Sequence, residues 1–139
     1  MTDLLHRLKL FVYRRERRSP DYLLLKASSP ESFWVPVQGP IGFGEQIDNA
    51  IRRELAEDLG LPRAGELIDL EMPSRWLVGD EEVIEWCFAL RAPFEHSDPR
   101  LGPRWADFRW AEFNEAYPSL ELDNDRATIL RLHHILHAA

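Results

Sequence analysis

The sequence predicts an α+β fold in which a mixed β-sheet is sandwiched between helices, an α/β/α layering. Three observations predict it. Short apolar runs of strand type lie on both sides of one strongly periodic helix, that helix repeats an apolar residue every four positions, and a second amphipathic helix closes the chain. At 139 residues and 45% hydrophobic, the chain has enough apolar material for one sizeable core. No linker-like composition shift or internal repeat divides it, so residues 1–139 read as one domain.

KLFVYRR (Lys9–Arg15) and DYLLLKA (Asp21–Ala27) are apolar runs parted by RERRSP, a charged turn bearing proline, and predict two strands. SFWVPVQG (Ser32–Gly39) also reads as extended. Pro36 restricts it to an edge or irregular strand, because proline has no N–H to give a ladder. A loop with Gly39, Pro40, Gly42 and Gly44 follows. From Glu45 to Leu59, the residues Ile47, Ile51, Leu55 and Leu59 recur at helical spacing beside Ala50. Gly60 suits a left-handed stop, and Pro62 blocks continuation. ELIDLEMPSRWLV (Glu66–Val78) and EVIEWCFALRA (Glu82–Ala92) predict strands turning at Gly79-Asp80, and DFRWAEF (Asp107–Phe113) a shorter one. The closing helix, Asp123 to His137, places Ile129, Leu130, His133 and Leu136 on one side.

A formal net charge of -7 argues against a nucleic-acid or acidic-membrane binder, since phosphate surfaces want a basic footprint. A phosphorylated ligand would therefore need a metal cation to reconcile two negative partners. Cys87 is the only cysteine, which excludes an intrachain disulfide and fits a reducing compartment. MTDLLHRLKLFVYRRERRSP carries an early acid and only a short apolar run, so it matches neither a signal peptide nor a membrane span. A cytoplasmic protein is expected, as monomer or homodimer.

Placing the apolar stripe of the first helix against the core turns Glu54, Glu57 and Asp58 towards the opposite side. Carboxylates three and four residues apart repel by about 0.2–0.5 kcal/mol per pair, so positive charge is expected between them. By themselves these residues leave two readings open. One is a solvated acidic face. The other is a set of hard oxygen ligands within one helical turn, suited to Mg²⁺, which keeps waters and bridges to phosphates. Arg53 adjoins the cluster and Glu45 lies eight residues before it, spaced for an ion pair joining loop to helix.

The full spacing runs Gly39, five residues, Glu45, seven residues, Arg53-Glu54-Leu55, one residue, Glu57-Asp58, one residue, Gly60-Leu61. It resembles the signature of the Nudix hydrolases and departs only at Asp58, where the family has Glu. VYRRERRSPDYLLLKAS resembles the family's opening hairpin, FWVPVQG its strand entering the loop, and FRWAEFNEA its late strand and short helix, so most of the chain is covered. The resemblance implies a Nudix-type α/β/α sandwich that hydrolyses a nucleoside diphosphate linked to another group, with Mg²⁺ or Mn²⁺. Carried over by position, it implies Glu54, Glu57 and Asp58 as metal ligands, with one Glu also placed to act as base. It further implies the carbonyl of Gly39 in the metal shell, and Glu45–Arg53 as a structural pair. Because Asp58 is shorter than Glu, Glu54 and Glu57 are expected to dominate direct metal binding. GPIGFG lacks the Gly-Lys-Ser/Thr ending of a P-loop and reads as scaffold, not as a phosphate cradle.

Outside this box, the family's last base or ligand often comes from a downstream carboxylate. Glu81, Glu82, Glu85 and Glu112 are candidates, and Glu85 stands out because it interrupts the apolar run VIEWCFAL. It is expected either to line the site as a catalytic carboxylate or to face solvent. Of five tryptophans, Trp34 and Trp86 are the expected stacking partners of a nucleobase, with core packing the alternative. His133 and His137 have helical spacing but no third ligand, and read as complements to a helix C-terminus rather than a zinc site. The arginines between Arg14 and Arg18 read as a solvated hairpin tip. The expected partner is a small nucleotide-like pyrophosphate, such as dATP, another (d)NTP or dihydroneopterin triphosphate. The segment from Phe108 to Leu136 also resembles those of dihydroneopterin-triphosphate pyrophosphatases and diadenosine tetraphosphate hydrolases. A dinucleoside polyphosphate substrate, or an inactive nucleotide-binding sensor, is the alternative.

Overall fold

In the computed structural model, which describes residues 3–62, 65–92 and 98–138, strand β1 (Asp3–Arg14) is the axis of a mixed sheet. It runs parallel to β6 (Glu81–Arg91) over its whole length, from Asp3↔Glu81 to Tyr13↔Arg91. Its other edge is shared. The N-terminal half pairs antiparallel with β3 (Val37–Pro40), and the C-terminal end pairs with β2 (Asp21–Ala27). Strand β2 continues to β7 (Trp105–Glu112), while β4 (Leu67–Asp69) and β5 (Ser74–Val78) divide the outer edge of β6 between them. The main path is therefore β4-β6-β1-β2-β7, with β3 and β5 filling the splayed ends.

Alternation decides which side chains go to which layer. Leu8, Leu10 and Val12 of β1, with Leu23 and Leu25 of β2, pack on the face covered by α1 (Ile47–Glu54). Phe11, Tyr13, Tyr22 and Leu24 pack on the other face, under α2 (Phe113–Ser119) and α3 (Asp123–Ala138). Both faces of β1 and β2 are covered, which explains their near-continuous apolar runs.

Helix α1 continues into a π-helical turn over Leu55–Leu59 before Gly60 ends it in the left-handed conformation. Ile51, Leu55 and Leu59 are fully buried. Each such side chain contributes about 1.5–3 kcal/mol, so burial outweighs the repulsion among the helix's carboxylates.

Three expectations are corrected here. The segment Ser32–Gly39 forms only isolated bridges, Leu25↔Val35 and Trp34↔Leu120, before β3 begins, because Pro36 interrupts the ladder. The stretch Glu66–Val78 is two strands. Between Asp69↔Phe88 and Ser74↔Glu85 the chain bulges outward, with Glu71 at φ 55 and its N–H on Asp69 Oδ1. On α3 the inward stripe runs through Asp125, Thr128, Ile129, Leu132 and Leu136, and Leu130 faces out. The stripe is set by the buried polar pair at its start, which apolar periodicity does not register. His133 sits on the flank, stacked on Phe113 and within 2.9 Å of the Tyr22 hydroxyl. Among the described residues no helix is long and apolar enough to cross a membrane.

Candidate active site

Strand β3, the loop after it and α1 form one continuous unit that gathers the box residues. Gly39 lies on β3 against Glu54, so tightly that a Cβ at Gly39 would overlap the Glu54 carboxylate. Arg53 ties the unit together. Its Nε and Nη2 donate to the two oxygens of Glu45 at 3.0 Å each, its Nη2 also to the Pro40 carbonyl at 2.8 Å, and its Nη1 to Glu54 Oε1 at 2.9 Å. Glu45 in turn accepts the Gly42 N–H at 2.8 Å. The Arg53 hydrogen bonds, helped by that backbone N–H, hold the Glu45 carboxyl down at about 2.

The three box carboxylates do not share one exposure. Glu57 projects into solvent with its side chain 65% exposed, whereas Glu54 is 3% and Asp58 7% exposed. Residues 54 and 58 flank the apolar stripe of 51, 55 and 59, and β3 and the segment after residue 98 close over them. The expectation of three carboxylates turned away from the core is thus right for Glu57 only. Burial, then the hydrogen bond and charge of Asp58, raise the Glu54 pKa to about 7 against the opposing pull of Arg104 and Arg53.

Arg104 is the residue that the sequence did not reveal. Its Nη2 lies between the two buried carboxylates, 3.2 Å from Glu54 Oε2 and closer still to Asp58 Oδ2, and donates to the Gln38 carbonyl at 2.6 Å. The segment that carries it is pinned to the end of the helix. Arg100 N–H donates to the Leu59 carbonyl and Gly102 N–H to that of Asp58, and a Cβ at Gly102 would strike the Glu57 carbonyl. No spacing rule links position 104 to the box. The contact exists only in three dimensions.

Among the described residues, no group of three His, Cys, Asp or Glu side chains converges to hold a metal, and the Arg104 guanidinium lies between Glu54 and Asp58. The donor chemistry nevertheless suits a hard divalent cation. The oxygens of Glu54, Glu57 and Asp58 and the close-packed backbone at Gly39 offer oxygen only, with more carboxylates than cations.

Two cavities flank the box loop and share Leu5, His6 and Ile41 as a wall. The first, about 800 Å³, lies on the α3 face and is lined by Gln38, Pro40, Trp76 and Val83. Its polar floor is a buried ionic network: Lys9 Nζ is 2.6 Å from Asp125 Oδ1 and 3.1 Å from Glu85 Oε1, with Arg7 3.7 Å from Glu85 Oε2. Burial disfavours the Lys9 charge, but Asp125 and Glu85 more than offset it and hold the pKa above the ordinary lysine value. The second cavity, about 660 Å³, is lined by Gly42, Glu45, Ile47 and Trp86.

The structure therefore does not bring Glu85 to the box carboxylates. It alternates along β6 with Cys87 and Ala89 on the α3 face, where Lys9 is the reason for an acid in an apolar run. Glu82 pairs with Arg75, Glu112 approaches Arg17, and Glu81 lines the rim of the first cavity. Trp86 lines the second cavity and donates to His6 Nδ1 at 3.1 Å. Trp34 lines neither of these cavities. It packs towards the α3 layer with Lys26 over its ring, and Trp76 is the indole of the first cavity.

No curated protein matches the chain in sequence. Among solved structures, it is similar to a C. elegans Ap4A hydrolase, with a TM-score of 0.77, 21% identity, and coverage of 97% of this chain and 99% of that one. It is also similar to the E. coli dihydroneopterin triphosphate pyrophosphohydrolase, with a TM-score of 0.78, 18% identity and 96% of both chains covered. The sequence pattern that defines the NUDIX domain matches residues 6–133, nearly the whole chain, and on that match the chain belongs to the Nudix family of hydrolases acting on phosphoric anhydrides.

Proposed function

We propose that this chain is a metal-dependent cytoplasmic pyrophosphohydrolase that cleaves the diphosphate of a nucleotide-like small molecule, with a (d)NTP or dihydroneopterin triphosphate as the substrate type. One observation carries the reading. The buried Glu54 carboxylate packs against Gly39, the buried Asp58 shares Arg104 with it, Glu57 stands exposed on the same helix, and the flanking residues Gln38 and Pro40 border a cavity large enough for an organic ring system. The Gly39 carbonyl, Glu54, Glu57 and Asp58 would hold Mg²⁺ or Mn²⁺, which when bound supplies neutralisation of the pyrophosphate and a lowered pKa for water. Arg53 orients Glu54 by a 2.9 Å hydrogen bond and keeps the loop against the helix through Glu45. Glu57, exposed and only loosely paired with Arg53 at 4.0 Å, is the carboxylate free to take the proton from the attacking water. The organic part of the substrate rests against Trp76 in the first cavity.

A second reading, a dinucleoside polyphosphate substrate, is favoured by the two cavities that flank the box loop and could seat two nucleoside ends. The likeness to a structure of an Ap4A hydrolase supports it, as the likeness to a dihydroneopterin triphosphate pyrophosphohydrolase supports the first. The test is phosphate or pyrophosphate release from dNTPs, dihydroneopterin triphosphate, ADP-ribose and diadenosine tetraphosphate, with Mg²⁺ and with excess EDTA. Metal-dependent turnover of one class selects between the readings. Turnover that survives EDTA rules out the metal-dependent mechanism, and binding without turnover identifies a sensor.

A further inference from the structure

Arg104 occupies ground that a cation would need. Its Nη2 carries two hydrogens yet touches three oxygens: one of Glu54, one of Asp58 and the Gln38 carbonyl. These are hard oxygens, and two belong to the carboxylates proposed to hold the metal. A guanidinium and a divalent ion cannot share them, because each repels the other in a site where both carboxylates are buried.

The arm is also built to let go. Its backbone is pinned to the helix end through Arg100 and Gly102, so its point of attachment is set. Its side chain is 42% exposed, and its guanidinium lies 4.8 Å from the Trp105 ring. Gln38, whose carbonyl it holds, lines the first cavity. A guanidinium released from the carboxylates, its backbone still pinned, would remain beside the strand whose Gln38 and Pro40 border that cavity. There its planar fork suits a phosphate.

We infer that Arg104 is a displaceable counter-ion: it holds Glu54 and Asp58 together in the metal-free protein, yields them to the metal, and then faces the substrate's phosphates. This rests on the proposed metal site. It makes Arg104 a positioning residue that sets metal affinity, and it orders binding as metal first and substrate second.

Titration calorimetry with Mn²⁺ alone tests it, together with melting of the metal-free and Mg²⁺-saturated protein. Arg104→Gln should bind Mn²⁺ about tenfold more tightly than wild type, the worth of roughly one charge-assisted hydrogen bond. It should melt lower than wild type without metal, and that deficit should close at saturating Mg²⁺. Arg104→Lys keeps the charge and should stay close to wild type in affinity. Equal or weaker Mn²⁺ binding by Arg104→Gln, with the same melting deficit in both states, would make Arg104 a plain structural prop and overturn the inference. Failure of wild type and Arg104→Gln alike to bind Mn²⁺ would instead overturn the metal site, and this inference with it.

Discussion

Two clusters in this molecule bury a pair of carboxylates against cations, one on each face of the sheet, and they differ in charge balance. On the α3 face, Glu85 and Asp125 meet Lys9 and Arg7, so the network is neutral. On the α1 face, Glu45, Glu54, Glu57 and Asp58 meet Arg53 and Arg104 among the described residues, which leaves two negative charges uncompensated within this group when all four carboxylates are ionised. A neutral buried network has no call for another ion, and its removal of one partner is what costs stability. A cluster short of two positive charges, made of oxygen donors, is chemically matched to one divalent cation. The difference separates a balanced group that holds the fold from an unbalanced one that suits the proposed metal.

The largest expected effect breaks the two apart by activity. Glu57→Gln should lower kcat by about 10²–10⁴-fold, the usual worth of a positioned acid–base group, while the urea midpoint hardly moves because the side chain is exposed. A fall in rate that is matched by a large loss of stability would count against the role given to Glu57. The mirror experiment is Lys9→Met. It strands Glu85 and Asp125 without the cation they share, and should cost about 3–5 kcal/mol in urea denaturation. An unchanged midpoint would show that the α3-face network is not what ties β1 and β6 to α3.

The contrast also explains what could be read from the sequence. The α1-face cluster is legible because its parts are local: helical spacing and one loop place Gly39, Glu45, Arg53 and Glu54 together, so the box pattern encodes their geometry. The α3-face network is not, because Lys9 and Asp125 are brought together by strand register and helix packing across most of the chain. Glu85 is visible as an anomaly, an acid in an apolar strand, but its partner is not, because nothing in KLFVYRR singles out Lys9. Arg104 is hidden for the same reason, since its side chain reaches the box from beyond three intervening strands. The indoles show a further limit. Trp34 lies in an isolated bridge to Leu120 and Trp76 in the middle of β5, and it is their place in the fold that brings Trp76 to a cavity and Trp34 to the α3 layer.

The smallest predicted effect is a pH dependence that belongs to one cluster alone. Glu54 has its pKa raised to about 7 from an ordinary 4.5, so between those values the folded protein keeps a proton that the unfolded chain has released. Binding more protons when folded means that stability falls as pH rises through that window. The contribution of Glu54 is fully present below its unfolded value and gone once pH passes its folded one. Other groups titrate in the same range, so the quantity to measure is the difference between wild type and Glu54→Gln. In metal-free protein, the wild-type urea midpoint should drop relative to that of Glu54→Gln between about pH 5 and about pH 8. Saturating Mg²⁺ should flatten the wild-type slope, because the cation replaces the proton on the carboxylate. Lys9 gives no comparable slope, since Asp125 and Glu85 keep it charged across the whole window. A difference that stays constant with pH would mean that Glu54 is ionised throughout, with Arg53 and Arg104 sufficient to hold its charge against burial and Asp58.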